Sequence, residues 1–320
     1  MSHPIGFRQV DLSLIVPTIN SELYIRSSLA EMTLVLRDLD GTSEIIAIDD
    51  GSTDNTWETL TDLAKTSSDV DIIAVRLASN FGQHAAILCG MRISRGSVVV
   101  TIDDDLQQDP MEIPKAIAKL NLLKSEAIIV AYEDQMKSAI RKFGSWITSE
   151  IVHLIFGKPR GLKISPLRVM TRPMVEQVCR TTNPNPYITG ELFRASGTIT
   201  NITGIHQERL EGRSNYTAKS LLVLLSRITF GYSTKPLTFT TGFALVVSAI
   251  FMITSVLITL SRLLAAGRVP GWASQVLIIS IFATCNFFVL AILGTYLKQI
   301  LQRVSQQEPY SVTESTRQSD

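Results

Sequence analysis

Two long stretches near the C-terminal end of this chain carry no charged side chain at all. Leu237–Leu260 reads LTFTTGFALVVSAIFMITSVLITL, and Ala273–Leu297 reads ASQVLIISIFATCNFFVLAILGTYL. About 20 consecutive apolar residues suffice for a helix to cross a bilayer. Between the runs lies SRLLAAGRVPGW, where Gly267, Pro270 and Gly271 are turn formers. A buried helical hairpin in a soluble core is the competing reading, but two uncharged runs of this length seldom occur there. Residues 237–301 are therefore expected to form two transmembrane helices. They also account for a mean hydropathy of +0.22.

Charge gives the orientation. Lys219, Arg227 and Lys235 precede the first run, Lys298 and Arg303 follow the second, and only Arg262 and Arg268 lie between. The excess of Lys and Arg on the cytoplasmic side of membrane proteins puts both flanks in the cytoplasm. MSHPIGFRQVDLSLIV lacks a signal-peptide cleavage pattern, in keeping with a cytosolic N-terminal region. Residues 218–236 are expected as a juxtamembrane helix and 302–320 as a polar cytosolic tail. With Lys+Arg 30 against Asp+Glu 29, no global field points to nucleic acid. Cys89, Cys179 and Cys285 are far apart with no CxxC, so neither a zinc site nor a disulfide framework is indicated.

Residues 1–217 alternate between two periodicities. Leu12–Thr18, Glu44–Asp50, Asp71–Leu77, Ser97–Asp105 and Glu126–Tyr132 are short, β-branched and apolar. Helical-period segments such as SELYIRSSLAEMTLVLRDL and NTWETLTDLAKTS separate them. That alternation predicts an α/β domain with a mainly parallel sheet and helices on both faces. Ligands of such sheets bind beyond the C-terminal ends of the strands. Two acidic clusters fall at such ends, DDGSTD after the second strand and DDDLQ after the fourth. Carboxylate and amide oxygens suit Mg²⁺ or Mn²⁺, and magnesium commonly takes one or two protein carboxylates together with phosphate oxygens. In an extended segment Asp103, Asp105 and Gln107 would share one side and Asp104 the other. A further segment, 138–157, sets Ile140, Phe143, Ile147, Ile151 and Leu154 on one helical face, with Lys137, Arg141, Lys142 and Trp146 near its start. That pattern fits an interfacial helix and equally an amphipathic core helix.

LIVPTINSE, AIDDGSTDNT, NFGQHAAILCGM and TIDDDLQQDP, in that order, resemble glycosyltransferase family 2. With the C-terminal apolar pair, the chain most resembles the family's polyprenyl-phosphate glycosyltransferases. The resemblance implies a GT-A-type fold and transfer, with inversion, of a sugar from a nucleotide-sugar donor (a UDP-sugar) to a polyprenyl phosphate acceptor in the bilayer. It further implies a bacterial inner-membrane protein with a cytoplasmic catalytic domain. Carried over by position, Pro17 lies near the nucleobase, and Asp49 and Asp50 lie in the base and ribose loop. Asp103, Asp104 and Asp105 match the family's Asp-x-Asp segment, with Asp105 and Gln107 as the metal ligands. HQERLEGRSNY resembles a Glu-Arg-x-x-Gly-x-Ser-Lys-Tyr element and maps Arg209 and Ser214 onto the phosphate-facing loop. A homo-oligomer is left open.

Three departures stand out. Ile19 and Ser21 replace an aromatic and a Glu, Asn215 replaces a Lys, and Leu162 and Lys163 fall where the family's usual Asp, the proposed catalytic base, is expected. A hydroxyl acceptor needs such a base. A phosphate monoester, with a second pKa of about 6, is already largely dianionic at neutral pH. The missing Asp is thus compatible with a lipid-phosphate acceptor. The alternatives are a catalytically silent nucleotide-binding membrane adaptor, or a glycolipid or polysaccharide transferase. Trp57, Trp146 and Trp272 do not fit the Gln-x-x-Arg-Trp element of processive relatives.

Overall fold

The computed structural model of the chain describes residues 10–132, 139–195, 197–204, 228–229, 231–264, 271–304 and 308–317. The chain divides into two units, residues 1–221 together with 308–320, and residues 222–307.

The first unit is built on an eight-stranded sheet. β1 (Leu12–Thr18), β2 (Ser43–Asp49), β3 (Asp71–Leu77), β4 (Val98–Thr101) and β5 (Ala127–Tyr132) are the strands anticipated from the apolar runs. β6 (Arg168–Thr171), β7 (Ile199–Gly204) and β8 (Val312–Ser315) complete it, in the order β7-β5-β6-β4-β1-β2-β3-β8. β4, β1, β2 and β3 run parallel, while β6 is antiparallel to both β4 and β5, and β8 to β3. The mainly parallel α/β expectation holds, with two reversed strands added.

β1 is buried at every position. A parallel strand covered on both faces reads as a continuous apolar run rather than an alternation. Its side chains still alternate. Leu14 and Val16 join a core with Ile25, Leu29 and Met32 of α1 (Ile25–Arg37), Leu60 of α2 (Thr56–Thr66), and Ile113 and Leu120 of α4 (Glu112–Leu123). Ile15 points the other way, to Ile87 and Met91 of α3 (Gln83–Ile93), Met174 and Val178 of α6 (Arg172–Cys179), and Ile188 and Leu192 of α7 (Ile188–Arg194). The result is a three-layer sandwich whose strand ends are left free for loops.

α5 (Ala139–Phe156) covers the segment expected as an amphipathic helix. It docks through Val152 and Phe156, both buried, while Trp146 and Leu154 stay 60% and 59% exposed. Leu154 therefore does not belong to the docked face.

The last stretch also differs from the picture of a polar tail. Residues 308–317 lie along the first unit, Pro309 is buried, and β8 pairs with β3. In the second unit, α8 (Lys235–Leu264) and α9 (Trp272–Val304) are 30 and 33 residues long and pack against each other. Among the described residues, Ile281–Lys298 in α9 is long and apolar enough to cross a membrane. Large apolar side chains such as Ile250, Val256, Phe287 and Leu297 are exposed along both helices.

Candidate active site

β1 has β2 on one side and β4 on the other, so the strand order reverses there. In open α/β sheets the crevice beyond the strand ends at this switch point is the usual ligand site. The β1–β4 ladder stops at Ile15↔Thr101, whereas the β1–β2 ladder runs to Thr18↔Asp49. Pro17, which has no N–H to donate, sits in β1 beyond the point where β4 leaves it. It is buried beside Ile48.

Short polar contacts tie the four loops above these strand ends together. Asp50 accepts the N–H groups of Phe81 and Gly82, each at 2.8 Å, and so joins the β2 and β3 loops. Ser52 Oγ accepts the N–H of Asn20 at 2.9 Å, and Asn20 Oδ1 accepts that of Thr53 at 2.9 Å, joining the β1 and β2 loops. The hydroxyl of Ser21 donates to Asp104 Oδ2 across the switch point. Gln83 Nε2 donates to Asp103 Oδ1, bringing the start of α3 to the acidic segment.

Asp49 is fully buried. Its Oδ1 accepts the N–H of Ser52 at 2.9 Å, and its Oδ2 lies 3.5 Å from Arg76 Nε. Asp50 is also buried, and burial pushes its carboxyl up to about 6 against the pull of the Phe81 and Gly82 amides. In this structure both aspartates shape the loop expected to hold base and ribose.

The acidic segment is not extended. β4 ends at Thr101, residues 104–105 lie in a turn, and Leu106 takes a left-handed φ of 53°. The alternation that would align Asp103, Asp105 and Gln107 thus ends before it reaches them. The turn nevertheless brings the last two together. Asp105 Oδ1 accepts the Gln107 N–H at 3.2 Å, and its Oδ2 accepts Gln107 Nε2 at 2.9 Å. Leu106 is only 2% exposed, so its burial among core residues explains the bend.

Burial, then repulsion from Asp105 and Asp104, pushes the Asp103 carboxyl up to about 7, against the pull of Arg168 and Gln83. Three neighbouring carboxylates thus share this turn, with the Arg168 charge bearing on Asp103. Among the described residues no three His, Cys, Asp or Glu side chains form a ready-made metal cage. A site using one or two carboxylates, an amide oxygen and phosphate oxygens of a ligand does not need one. The donor set Asp103–Asp105 with Gln107 therefore fits a hard divalent cation.

Arg168, 4% exposed on β6, donates from Nε to Ser165 O at 2.8 Å and from Nη2 to Thr189 Oγ1 at 3.0 Å. Its charge also bears on His84, which lies edge-on to Tyr187 at 4.9 Å. Burial first, and then Arg168, pushes this imidazole down to about 3, so it is neutral at physiological pH. The loop expected to carry a catalytic Asp has none. Lys158 Nζ donates to Leu162 O at 2.7 Å, and Asn201 Oδ1 accepts the Lys163 N–H at 2.6 Å. Arg209, Ser214 and Asn215 lie outside the described residues.

The structure adds Ser21, Arg76, Gln83 and Arg168 to the residues anticipated. Gln83 stands inside a motif that carried the resemblance, and Ser21 sits at a departure from it. Arg76 and Arg168 lie within strands, where neither spacing nor pattern marks them.

Comparison with known proteins bears on this geometry. The family profile "Glycosyl transferase family 2" matches residues 13–161. The undecaprenyl-phosphate 4-deoxy-4-formamido-L-arabinose transferase of Salmonella choleraesuis (strain SC-B67) is 28% identical over 306 residues, covering 94% of this chain and 92% of its own. The same enzyme from Salmonella paratyphi B (strain ATCC BAA-1250 / SPB7) is likewise 28% identical. Among solved structures, the glucosyl-3-phosphoglycerate synthase of Mycobacterium tuberculosis with Mn²⁺, UDP-glucose and phosphoglyceric acid superposes with a TM-score of 0.51. It is 15% identical, and the match covers 69% of this chain and 78% of that one. With its acidic turn at the switch point of a GT-A-type sheet, this chain carries a glycosyl transferase family 2 domain and is a glycosyltransferase.

Proposed function

We propose that this enzyme transfers a sugar from a nucleotide diphosphate-sugar, a UDP-sugar, to polyprenyl phosphate, with inversion at the anomeric carbon. The observation that carries the reading is a pairing. A turn of three adjacent carboxylates, Asp103–Asp105, lies at the switch point, and the loop 157–167 has no carboxylate where a general base would stand. A phosphate dianion needs no base. One of its oxygens attacks the anomeric carbon as the bond to the diphosphate breaks, and the diphosphate leaves with the electron pair. Asp105 and Gln107, with Asp103 and Asp104 beside them, would hold Mg²⁺ or Mn²⁺. Such an ion supplies charge to stabilise the departing diphosphate. Pro17, Asp49 and Asp50 form the wall and loop for base and ribose, and Arg209 and Ser214 meet the phosphates. The names of the relatives support the acceptor class.

Connectivity supports a membrane arrangement for this reading. Residues 222–307 leave the catalytic unit and return to it, because β8 pairs with β3. A segment that starts and ends on one side of a bilayer crosses it an even number of times. This supports α8 and α9 as a two-span hairpin, with the catalytic domain and both flanks on the cytoplasmic face of a bacterial inner membrane. The exposed Trp146 and Leu154 of α5 suit headgroups and acyl chains, supporting an interfacial role.

The test is direct. Purified protein in detergent, given undecaprenyl phosphate and a panel of nucleotide-sugars, should transfer one of them. Asp105→Ala should abolish transfer without unfolding, and EDTA should silence the wild type until Mg²⁺ or Mn²⁺ is restored. Full turnover in excess EDTA refutes the metal role. No transfer from any donor to any phosphate acceptor returns the chain to a silent nucleotide-binding adaptor.

A further inference from the structure

The C-terminal segment 308–317 is fastened to the catalytic unit along its length. Glu308 pairs with Arg92 at 3.2 Å, and Arg92 lies over the Tyr310 ring at 5.5 Å. Ser311 O accepts the Ala78 N–H at 2.8 Å, Thr316 Oγ1 accepts the Ala74 N–H at 2.9 Å, and Arg317 pairs with the buried Glu44. Most of these contacts are anchors. One leads elsewhere.

Glu314 of β8 stands opposite Arg76 of β3, and its Oε1 lies 3.4 Å from Arg76 Nη1. Arg76 continues inward. Its Nε lies 3.5 Å from Oδ2 of the fully buried Asp49, its Nη2 donates to Ser52 O at 3.5 Å, and its guanidinium lies 5.7 Å from the Trp57 ring centre. Asp49 in turn accepts the Ser52 N–H. Ser52 is thus held at its N–H by Asp49 and at its carbonyl by Arg76, while its hydroxyl holds Asn20 of the β1 loop. A single guanidinium, planar and five-donor, sets the geometry of the loop after β2. The exposed carboxylate that balances it comes from the far end of the chain.

We infer that Glu314 and Arg76 are positioning residues for the nucleotide-binding loop, so that the C-terminal strand tunes donor affinity. This rests on the reading above of residues 49–53 as the base and ribose loop. Without the Glu314 charge, Arg76 keeps its stem but loses one of its two carboxylates. The guanidinium then has wider freedom, and the loop that depends on it is less well preorganised. Since loop order is part of what binding must supply, the loss falls on donor binding, not on the chemical step.

The experiment compares two neutralised carboxylates of the same segment in full-length protein in detergent. Binding of UDP, and separately of GDP, with Mn²⁺ is followed by titration calorimetry. Glu314→Gln should weaken binding of the preferred nucleotide about two- to fivefold at low salt, the range of a partly exposed ion pair. Glu314→Asp should recover most of the loss, and high salt should erase the difference. Glu308→Gln cuts another of the segment's ion pairs, the one with Arg92, and should leave binding unchanged, whatever it does to Tm. In turnover, Glu314→Gln should raise donor KM by the same factor while kcat and acceptor KM stay put. Equal affinity of wild type and Glu314→Gln, or a loss of Tm without a KM change, overturns the positioning role and leaves the proposed function standing. No binding of either nucleotide by the wild type overturns both.

Discussion

Gly51 offers the sharpest test of how the donor loop is built. It follows Asp50 with a φ of +73°, and a Cβ built on it would lie 2.6 Å from Ser79 C and 2.8 Å from Asn80 N. Both are backbone atoms of the β3 loop, so no side chain can swing aside. Gly51→Ala therefore meets two costs. The left-handed backbone costs about 1 kcal/mol for a residue with a Cβ, and forcing a methyl against packed backbone adds about 1–3 kcal/mol. Gly157 separates the two, since its φ is a similar +69° but nothing lies within 4 Å of its Cβ position. In a domain of this size 1 kcal/mol moves Tm by about 2–4 °C. Gly157→Ala should then lower Tm by roughly 2–4 °C and Gly51→Ala, at about 2–4 kcal/mol, by roughly 4–16 °C, read by tryptophan fluorescence on heating in detergent. Only Gly51→Ala should also raise donor KM, because prising the two loops apart stretches the bonds from Asp50 to the Phe81 and Gly82 amides. Equal Tm losses in the two variants would refute the close-approach argument.

Three further outcomes are expected. Asp103 and Asp50, pushed up from 3.8 to about 7 and about 6, bind protons more tightly folded than unfolded. Their penalty is thus full above pH 7 and relieved as pH falls toward 4. In divalent-free buffer Asp103→Asn should flatten this part of the Tm–pH curve, and Mg²⁺ should stabilise the wild type more at pH 8 than at pH 5; a cation effect independent of pH would speak against the cluster. Leu162→Asp, which restores an acid, should change the rate by far less than the 10²–10⁴-fold of general-base catalysis, and polyprenol without its phosphate should not be glycosylated; a large gain, or transfer to the alcohol, would sink the phosphate argument. A cysteine at Ser274 should react with an impermeant maleimide on intact cells and one at Ser311 should not, the reverse pattern excluding a cytosolic donor site.

Local pattern carries much of this protein. β1, β2, β3 and β5 announce themselves as apolar runs because interior parallel strands are buried on both faces, a property each segment holds by itself. The motifs around Asp50, Gln83 and Asp105 are equally local, and their order along the chain was enough to name a family and an acidic strand-end site. β8 was not legible in this way. Its four residues, VTES, are all exposed and alternate with no core, and they become a strand only because β3 presents an open edge to a segment 238 residues away at Arg76 and Glu314. A period of two put Asp105 and Gln107 on one side, but it is a turn that joins them, since burying Leu106 bends the chain just where the alternation would run. Arg76 shows the same limit most plainly. As sequence it is a lone cation in an apolar strand; only the sheet order puts a buried Asp49 on one side of it and Glu314 on the other. Residue type and period determine what a segment can become, whereas the partner of a charge is a matter of long-range contact that no local pattern encodes.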